Sequence, residues 1–182
     1  MHNLDYKLIK ACKKGNQVAQ MQIYDNYCQA MFTIACRYLN NEEDAKDAMQ
    51  EGFLKAFLNI GSYKPESTFG AWLKRIMINQ CLDVLKKRQL EFSNDEVEKL
   101  QILDDDNWSF DSTITKTEIL FAIEQLIEKH KIVVNLYLIE GYDHKEISDI
   151  LEIPVKTSRT HLRRGKLKLQ DLLKQKYNEA RY

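Results

Sequence analysis

Six side chains that bond readily to nucleic acid crowd into nine consecutive positions: Lys156, Thr157, Arg159, Thr160, Arg163 and Arg164. In a major groove an arginine can bond guanine bidentately, while threonine and lysine hold phosphates. Residues 155–176 hold eight basic residues and one acidic residue, a bias that solubility alone explains poorly. A charged amphipathic surface helix is the plainer alternative. A second mixture comprises Ser62, Tyr63, Lys64, Ser67 and Thr68, followed by Trp72, Lys74, Arg75 and Asn79 and the basic run Lys86, Lys87 and Arg88. It suits unpaired bases, because rings stack, amides and hydroxyls read base edges, and cations hold phosphates. Trp72 taken alone reads more readily as core. A third group, Asp44, Asp47, Gln50, Glu51 and Lys55, is mainly acidic and spaced by three and four, so one helix face would carry it as a ridge. Such a ridge is either merely solvated or faces a partner.

Helices must position all three groups. The 182 residues are 44% hydrophobic and 30% charged, with 6 Gly and 2 Pro, a composition that disfavours turn-rich β architectures and wholesale disorder. No apolar run reaches the roughly 18–20 residues a bilayer requires. The amino terminus lacks the zones of a secretory signal, so a cytoplasmic location is expected. Cys12, Cys28, Cys36 and Cys81 form no zinc-binding spacing and read as small buried hydrophobes in a reducing compartment. No metal or cofactor site is expected. The signatures of a P-loop, HExxH, nucleophile elbow or GxGxxG are absent, and the four histidines are dispersed.

Residues 5–90 read as three or four helices. Ala19, Ile23, Tyr27, Ala30, Met31, Ile34 and Tyr38 follow a buried helical stripe. A second helix from about Glu42 to Ile60 points Ala45, Ala48 or Met49, Gly52 or Phe53, and Ala56 or Phe57 inward, with three acids in its first turn as the helix dipole favours. Pro65 forbids helix through 61–67. A long helix from Thr68 follows, with Phe69, Trp72, Leu73, Ile76 and Gln80 on one side.

The formal net charge of zero hides a segregation. Residues 1–90 carry +4, residues 91–115 carry −7 and residues 116–182 carry +3. The acidic stretch has no helical period and reads as a flexible linker, able to span at most about 80 Å. It is either a solvated tether or a strand mimicking nucleic acid in a channel.

Residues 116–140 read as a helical pair or one long helix that Gly141 ends. Asp143 with Glu146 three residues later forms a capping-box pattern ahead of a short helix burying Ile147, Ile150 and Leu151. After Glu152-Ile153-Pro154 a second helix would bury Val155, Ser158, Leu162, Gly165 and Leu169, and His161 on the same helix either touches phosphate or simply packs. A short helix, a tight turn and a basic second helix make a helix-turn-helix pattern. Residues 170–182 read as an extension of the last helix, with no appended regulatory domain.

Two segments carry a family resemblance. The first is NEEDAKDAMQEGFLKAF at 41–57, continuing through FGAWLKRI at 69–76, Asn79, Asp83 and Lys86-Lys87-Arg88. The second runs from Glu140-Gly141-Tyr142 through Lys145-Glu146-Ile147-Ser148 and Ile153-Pro154-Val155-Lys156-Thr157 to Leu169. In both motifs and in their order, the chain resembles a bacterial RNA polymerase sigma factor of the extracytoplasmic-function (ECF) type. The resemblance implies an all-α protein of two small helical domains, a sigma region 2 bundle (1–90) and a region 4 helix-turn-helix (116–182), joined by the acidic linker (91–115).

It further implies partners and roles. The ridge from Asp44 to Lys55 would bind the clamp coiled coil of the polymerase β′ subunit, and core contacts would extend to the β flap. The 61–68 loop would capture a flipped-out base of the minus-ten promoter element. The helix from Thr68 would engage the separated strand and nearby duplex, and the last helix would read the minus-thirty-five element. The linker would lie in the polymerase cleft and RNA exit path, and an anti-sigma factor would hold the protein inactive. No small-molecule substrate, cofactor, enzymatic activity or direct membrane insertion is implied. Three positions depart from the family pattern. Glu152 replaces a turn glycine and Ser158 a buried valine, while Ile127 replaces a proline, leaving two helices free to fuse. A conventional helix-turn-helix regulator and a protein–protein adaptor are the competing readings.

Overall fold

The computed structural model describes residues 2–87 and 114–179, and every regular element among them is helical. The chain divides into two compact units, Met1–Gln89 and Leu90–Tyr182. Arg88 and all but the last two residues of the expected acidic linker lie outside the described residues.

The first unit comprises α1 (His2–Cys12), α2 (Gln17–Tyr38), α3 (Glu42–Leu58), a 3-10 turn (Ile60–Ser62) and α4 (Phe69–Lys87). Gly15 reverses the chain after α1 with a φ of 77°, a conformation that costs a side-chain-bearing residue more. Asn16 then caps α2 by accepting from the Ala19 N–H at 3.0 Å. Asn41 does the same for α3, accepting from Glu43 at 2.8 Å, and Glu42, Glu43 and Asp44 occupy the first turn. The core is built from Ile23, Tyr38, Leu39, Leu73, Met77, Ile78 and Leu85. Gly52 lets α3 approach α4, since a Cβ there would stand 2.7 Å from the Met77 Cε.

The α2 stripe is as expected at Ala19, Ile23, Met31, Ile34 and Tyr38, but Ala30 is exposed. The second half of α2 buries Met31, Ile34, Ala35 and Tyr38, an arc rotated by about a quarter turn from the one Ala30 belongs to. On α4, Trp72 and Ile76 are only half-buried, whereas Met77, Ile78, Cys81, Leu82 and Leu85 join the core. All four cysteines are free; Cys12 and Cys81 are buried, Cys28 and Cys36 half-buried. Burial pushes the Cys81 thiol up to about 12, which makes it inert as a nucleophile.

The second unit comprises α5 (Lys116–Glu124), α6 (Glu128–Val134), a π-helical turn (Asn135–Ile139), α7 (His144–Leu151) and α8 (Val155–Glu179). A capping box between Thr115 and Glu118 opens α5. Helices α5 and α6 do not fuse. Ile127 takes φ −61° and ψ 147° between them, an extended conformation of the kind a proline would adopt, so the break survives without the ring. Asp143 caps α7 by accepting from Lys145 at 2.7 Å and Glu146 at 2.8 Å, while Glu146 accepts from the Asp143 N–H at 2.9 Å. Glu152 adopts φ 56°, so the turn keeps the left-handed shape for which glycine is usual, at a cost of about 1–2 kcal/mol.

The inner face of α8 is Ser158, His161, Leu162, Gly165, Leu169 and Leu173. Val155, expected inside, is 36% exposed, because the buried stripe of α8 begins one turn later. A Cβ on Gly165 would stand 2.5 Å from the Val134 Cγ2 on buried α6. A β-branched side chain cannot swing aside as Met77 can. Gly165→Ala is therefore expected to destabilise the second unit by about 1–2 kcal/mol, overpacking outweighing the gain in helix propensity. A lowered thermal midpoint in calorimetry checks this, and an unchanged or raised midpoint contradicts it. Among the described residues no helix is long and apolar enough to cross a membrane.

Candidate nucleic-acid interface

Three side-chain contacts order the helix-turn-helix, and the second of them joins α8 directly to α7. The Ser148 hydroxyl donates to the Ile153 carbonyl at 2.6 Å across the turn. The buried Ser158 hydroxyl meets the His144 Nδ1 at 2.9 Å. The His144 ring in turn stacks on Tyr137, with centroids 4.7 Å apart and planes at 28°. The serine in place of the family's usual valine thus gains a polar partner on α7.

With the inner face fixed, the outer face of α8 follows. Lys156, Thr160 and Arg163 stand at i, i+4 and i+7 and form one stripe. Thr157 and Arg164 flank it on one side and Arg159 on the other. Lys156 and Arg159 are exposed, the other four half-exposed. The Thr160 hydroxyl donates to the Lys156 carbonyl at 2.9 Å, leaving its lone pairs outward as an acceptor. Leu167, exposed at the next step of the stripe, was not singled out by sequence reasoning. For His161 the structure decides between the two readings: it is 1% exposed, its ring 5.5 Å from that of His130 in the interior, so it packs and does not reach phosphate.

Burial, and then the Arg159 charge, hold the His144 imidazole below its ordinary pKa, with Asp143 opposing and Lys166 adding to the repulsion. A histidine that is harder to protonate folded than unfolded removes stability as pH falls below its unfolded value near 6.5, because the unfolded chain takes up the proton first. The second unit is thus expected to lose thermal stability from about pH 6.5 to 5, and His144→Gln is expected to flatten that part of the curve. Thermal melts of the whole chain across this window check it; parallel curves for the two proteins contradict it.

In the first unit the loop at 61–68 is built on rings. Tyr63 sits 5.4 Å from Phe69 and 5.6 Å from Trp72, and Phe69 lies 5.4 Å from Trp72. The Tyr63 hydroxyl donates to the Ser67 carbonyl at 2.9 Å, so this ring closes the loop. Ser62 is likewise engaged, donating to the Asn59 carbonyl at 2.7 Å. Lys64, Ser67 and Thr68 are exposed. Thr68, Trp72, Arg75, Asn79 and Lys86 share one face of α4, by their spacing. Lys74 is not part of that stripe: it is half-buried on the flank that packs. Lys87 is exposed beside Lys86 in the last turn.

The ridge on α3 is present, with Asp47, Gln50, Glu51 and Lys55 exposed and Asp44 half-buried. Lys55 bridges to Asp83 of α4 at 3.1 Å, both side chains about half-exposed, a pair of small energetic value. Sequence reasoning missed the ridge's apolar continuation. Leu54 and Leu58 are 55% and 84% exposed, at i+7 and i+11 from Asp47. The available signal was the helical period, which places both opposite the buried Ala45, Ala48 and Phe53.

Residues 23–91 match the family description Sigma-70 region 2, and residues 116–169 match Sigma-70, region 4. The ECF RNA polymerase sigma factor SigW of Bacillus subtilis is 33% identical over 180 residues, spanning 92% of this chain and 96% of that protein. The chain belongs to the ECF RNA polymerase sigma factors. SigE of Mycolicibacterium smegmatis, also an ECF sigma factor, is 26% identical over 91% of this chain and 67% of its own length. Two solved structures share the fold. The sigma factor RpoE from Bartonella quintana, in complex with the anti-sigma factor NepR, has a TM-score of 0.52 at 20% identity, covering 85% of this chain and 96% of that one. CnrH, in complex with the cytosolic domain of CnrY, has a TM-score of 0.51 at 23% identity, covering 93% and 97%. As an ECF sigma factor the protein is a promoter-recognising subunit for RNA polymerase. The ridge, the ring-braced loop and α4 fall within its region 2, and the helix-turn-helix within its region 4.

Proposed function

We propose that this sigma factor docks on core RNA polymerase through α3, reads two promoter elements with its two units, and promotes melting by trapping bases that leave the stack. Asp44, Asp47, Gln50 and Glu51, with Leu54 and Leu58, face the β′ clamp, and Lys55 marks the edge of that surface. The second unit meets the β flap and lays the Lys156–Thr160–Arg163 stripe in the major groove of the minus-thirty-five duplex. Arg159, Arg164 and Thr157 reach the flanking phosphates. The loop at 61–68 and the α4 stripe take the minus-ten strand once it separates, with Lys87 and Arg88 supplying phosphate contacts nearby; Lys74, on the packing flank of α4, has no part in this.

The observation that carries this reading is the coexistence, in one chain, of a basic helix pinned for duplex DNA and a separate ring-braced loop edged with hydroxyls. A duplex element can be read by bonds to paired base edges. A melting element cannot, since its bases must first unstack at a few kcal/mol each, so a surface that captures them lowers the cost of the open state. Tethering both surfaces through the 91–115 linker, which would run through the polymerase cleft and RNA exit path, multiplies two weak affinities. Domain limits of 1–90 and 116–182 fit this division. The chain itself makes and breaks no bond; phosphoryl transfer belongs to the core enzyme, and the work is done in the cytoplasm. An anti-sigma factor that covers the α3 face would hold the protein inactive; the RpoE neighbour, in complex with the anti-sigma factor NepR, supports the expectation of such a partner. Run-off transcription with purified core on a genomic promoter library tests the proposal. Discrete transcripts sharing two spaced elements are expected; transcripts independent of this chain would refute it.

A further inference from the structure

Lys13 lies in the turn after α1, ahead of the segment that matches Sigma-70 region 2. It nevertheless reaches the loop at 61–68, 48 to 50 residues away. Its ammonium donates to the Tyr63 carbonyl at 3.0 Å and stands 3.5 Å from the Gly61 carbonyl oxygen. It also lies 5.9 Å from the centroid of the Tyr63 ring. An ammonium has three donors, so one side chain can hold both carbonyls. Lys13 therefore fixes the start of the loop, and the Tyr63 hydroxyl on Ser67 fixes its end. Between these two pins Lys64, Pro65 and Glu66 form an exposed tip.

We infer that Lys13 is a positioning residue for this loop, keeping it in the shape that receives an extruded promoter base without touching the nucleic acid itself. The inference rests on the base-capture reading of the loop. A loop ordered before its ligand arrives loses less conformational freedom on binding. That gain belongs only to ligands fitting the preset shape, so the brace acts on preference between bases. A lysine that met phosphate would instead raise affinity for every sequence alike and add to the salt dependence.

Holoenzyme made with Lys13→Met, which keeps the stem and removes the donors, separates these roles. The probe is a randomised pool of short single-stranded DNA, scored by enrichment at each position and by affinity across a salt series. The expected result is about a threefold to tenfold loss of preference at the captured base, the scale of one or two exposed hydrogen bonds. The salt slope and the affinity for upstream duplex should not change. Lys13→Arg should restore the preference, and Tyr63→Phe, which removes the opposite pin, should mimic the loss. A uniform drop in affinity with a slope smaller by about 0.7 would make Lys13 a phosphate contact and overturn the inference. A wild-type preference that Lys13→Met retains would overturn the inference alone. A wild-type holoenzyme indifferent to every base would remove base capture and the inference together.

Discussion

Asp47→Lys combined with Glu51→Lys is expected to weaken binding to core RNA polymerase by a hundredfold or more. Both carboxylates are exposed one turn apart on α3, so they present one paired charge to a partner surface. Truncating one member of a buried interfacial charge pair typically costs about 2–5 kcal/mol, and reversing the sign adds repulsion. A factor of one hundred needs only about 2.7 kcal/mol. The substitution leaves the fold alone: lysine is a good helix former, and the acids favoured by the helix dipole, Glu42, Glu43 and Asp44, stay in the first turn. The single change Asp47→Ala is expected to cost about tenfold. Anisotropy titration of labelled protein with core enzyme measures both. Unchanged affinity in the double variant would show that α3 is not the docking face. Binding to isolated DNA should not respond, since neither residue belongs to the stripes on α4 or α8.

Arg163→Ala is expected to weaken binding of the holoenzyme to the upstream promoter duplex by about 1–3 kcal/mol and to flatten the preference at a single base pair. Lys156→Ala should act differently, lowering affinity for all duplexes and reducing the logarithmic salt slope by about 0.9. The difference follows from the stripe. Arg163 can fork onto a guanine edge, whereas Lys156, in the first turn, carries a point charge. The Thr160 hydroxyl is donated to its own helix, so Thr160→Ala should matter less than either. Binding measured at several salt concentrations on the parent site and single-base variants distinguishes these effects. Equal losses on every sequence for Arg163→Ala would reduce it to a phosphate contact.

The surfaces that depend on local spacing were legible in the sequence. The α3 ridge and the basic face of α8 each lie on one helix, where period and capping residues settle which side chains share a face. Asp143 with Glu146 announced α7 for the same reason. What could not be read depends on groups distant in sequence. Nothing in the order of residues ties Lys13 to Tyr63, or reveals that the Tyr63 hydroxyl and ring are spent on holding the loop. The Ser158 exchange looked like a lost packing contact because His144, its partner, arrives on another helix. Ala30 falls outside the core because a straight, uniform stripe is the wrong assumption: the buried arc of α2 drifts along its length. His161 could not be decided from sequence, because the buried arc of α8 is wide enough to take it in. Lys74 sits among cations in sequence yet is turned from them by the same 100° per residue that groups Arg75 with Asn79.

In the proposed function all of these surfaces serve one dependence: the chain would need core polymerase to choose a promoter. Filter binding of a run-off-defined promoter duplex, with competitor DNA, by the chain alone and by the chain with core enzyme decides this in a single experiment. Binding by the free chain is expected to be weak and indifferent to sequence, and addition of core should make it tight and confined to the promoter. Equal, specific binding with and without core would contradict it and leave a conventional DNA-binding regulator.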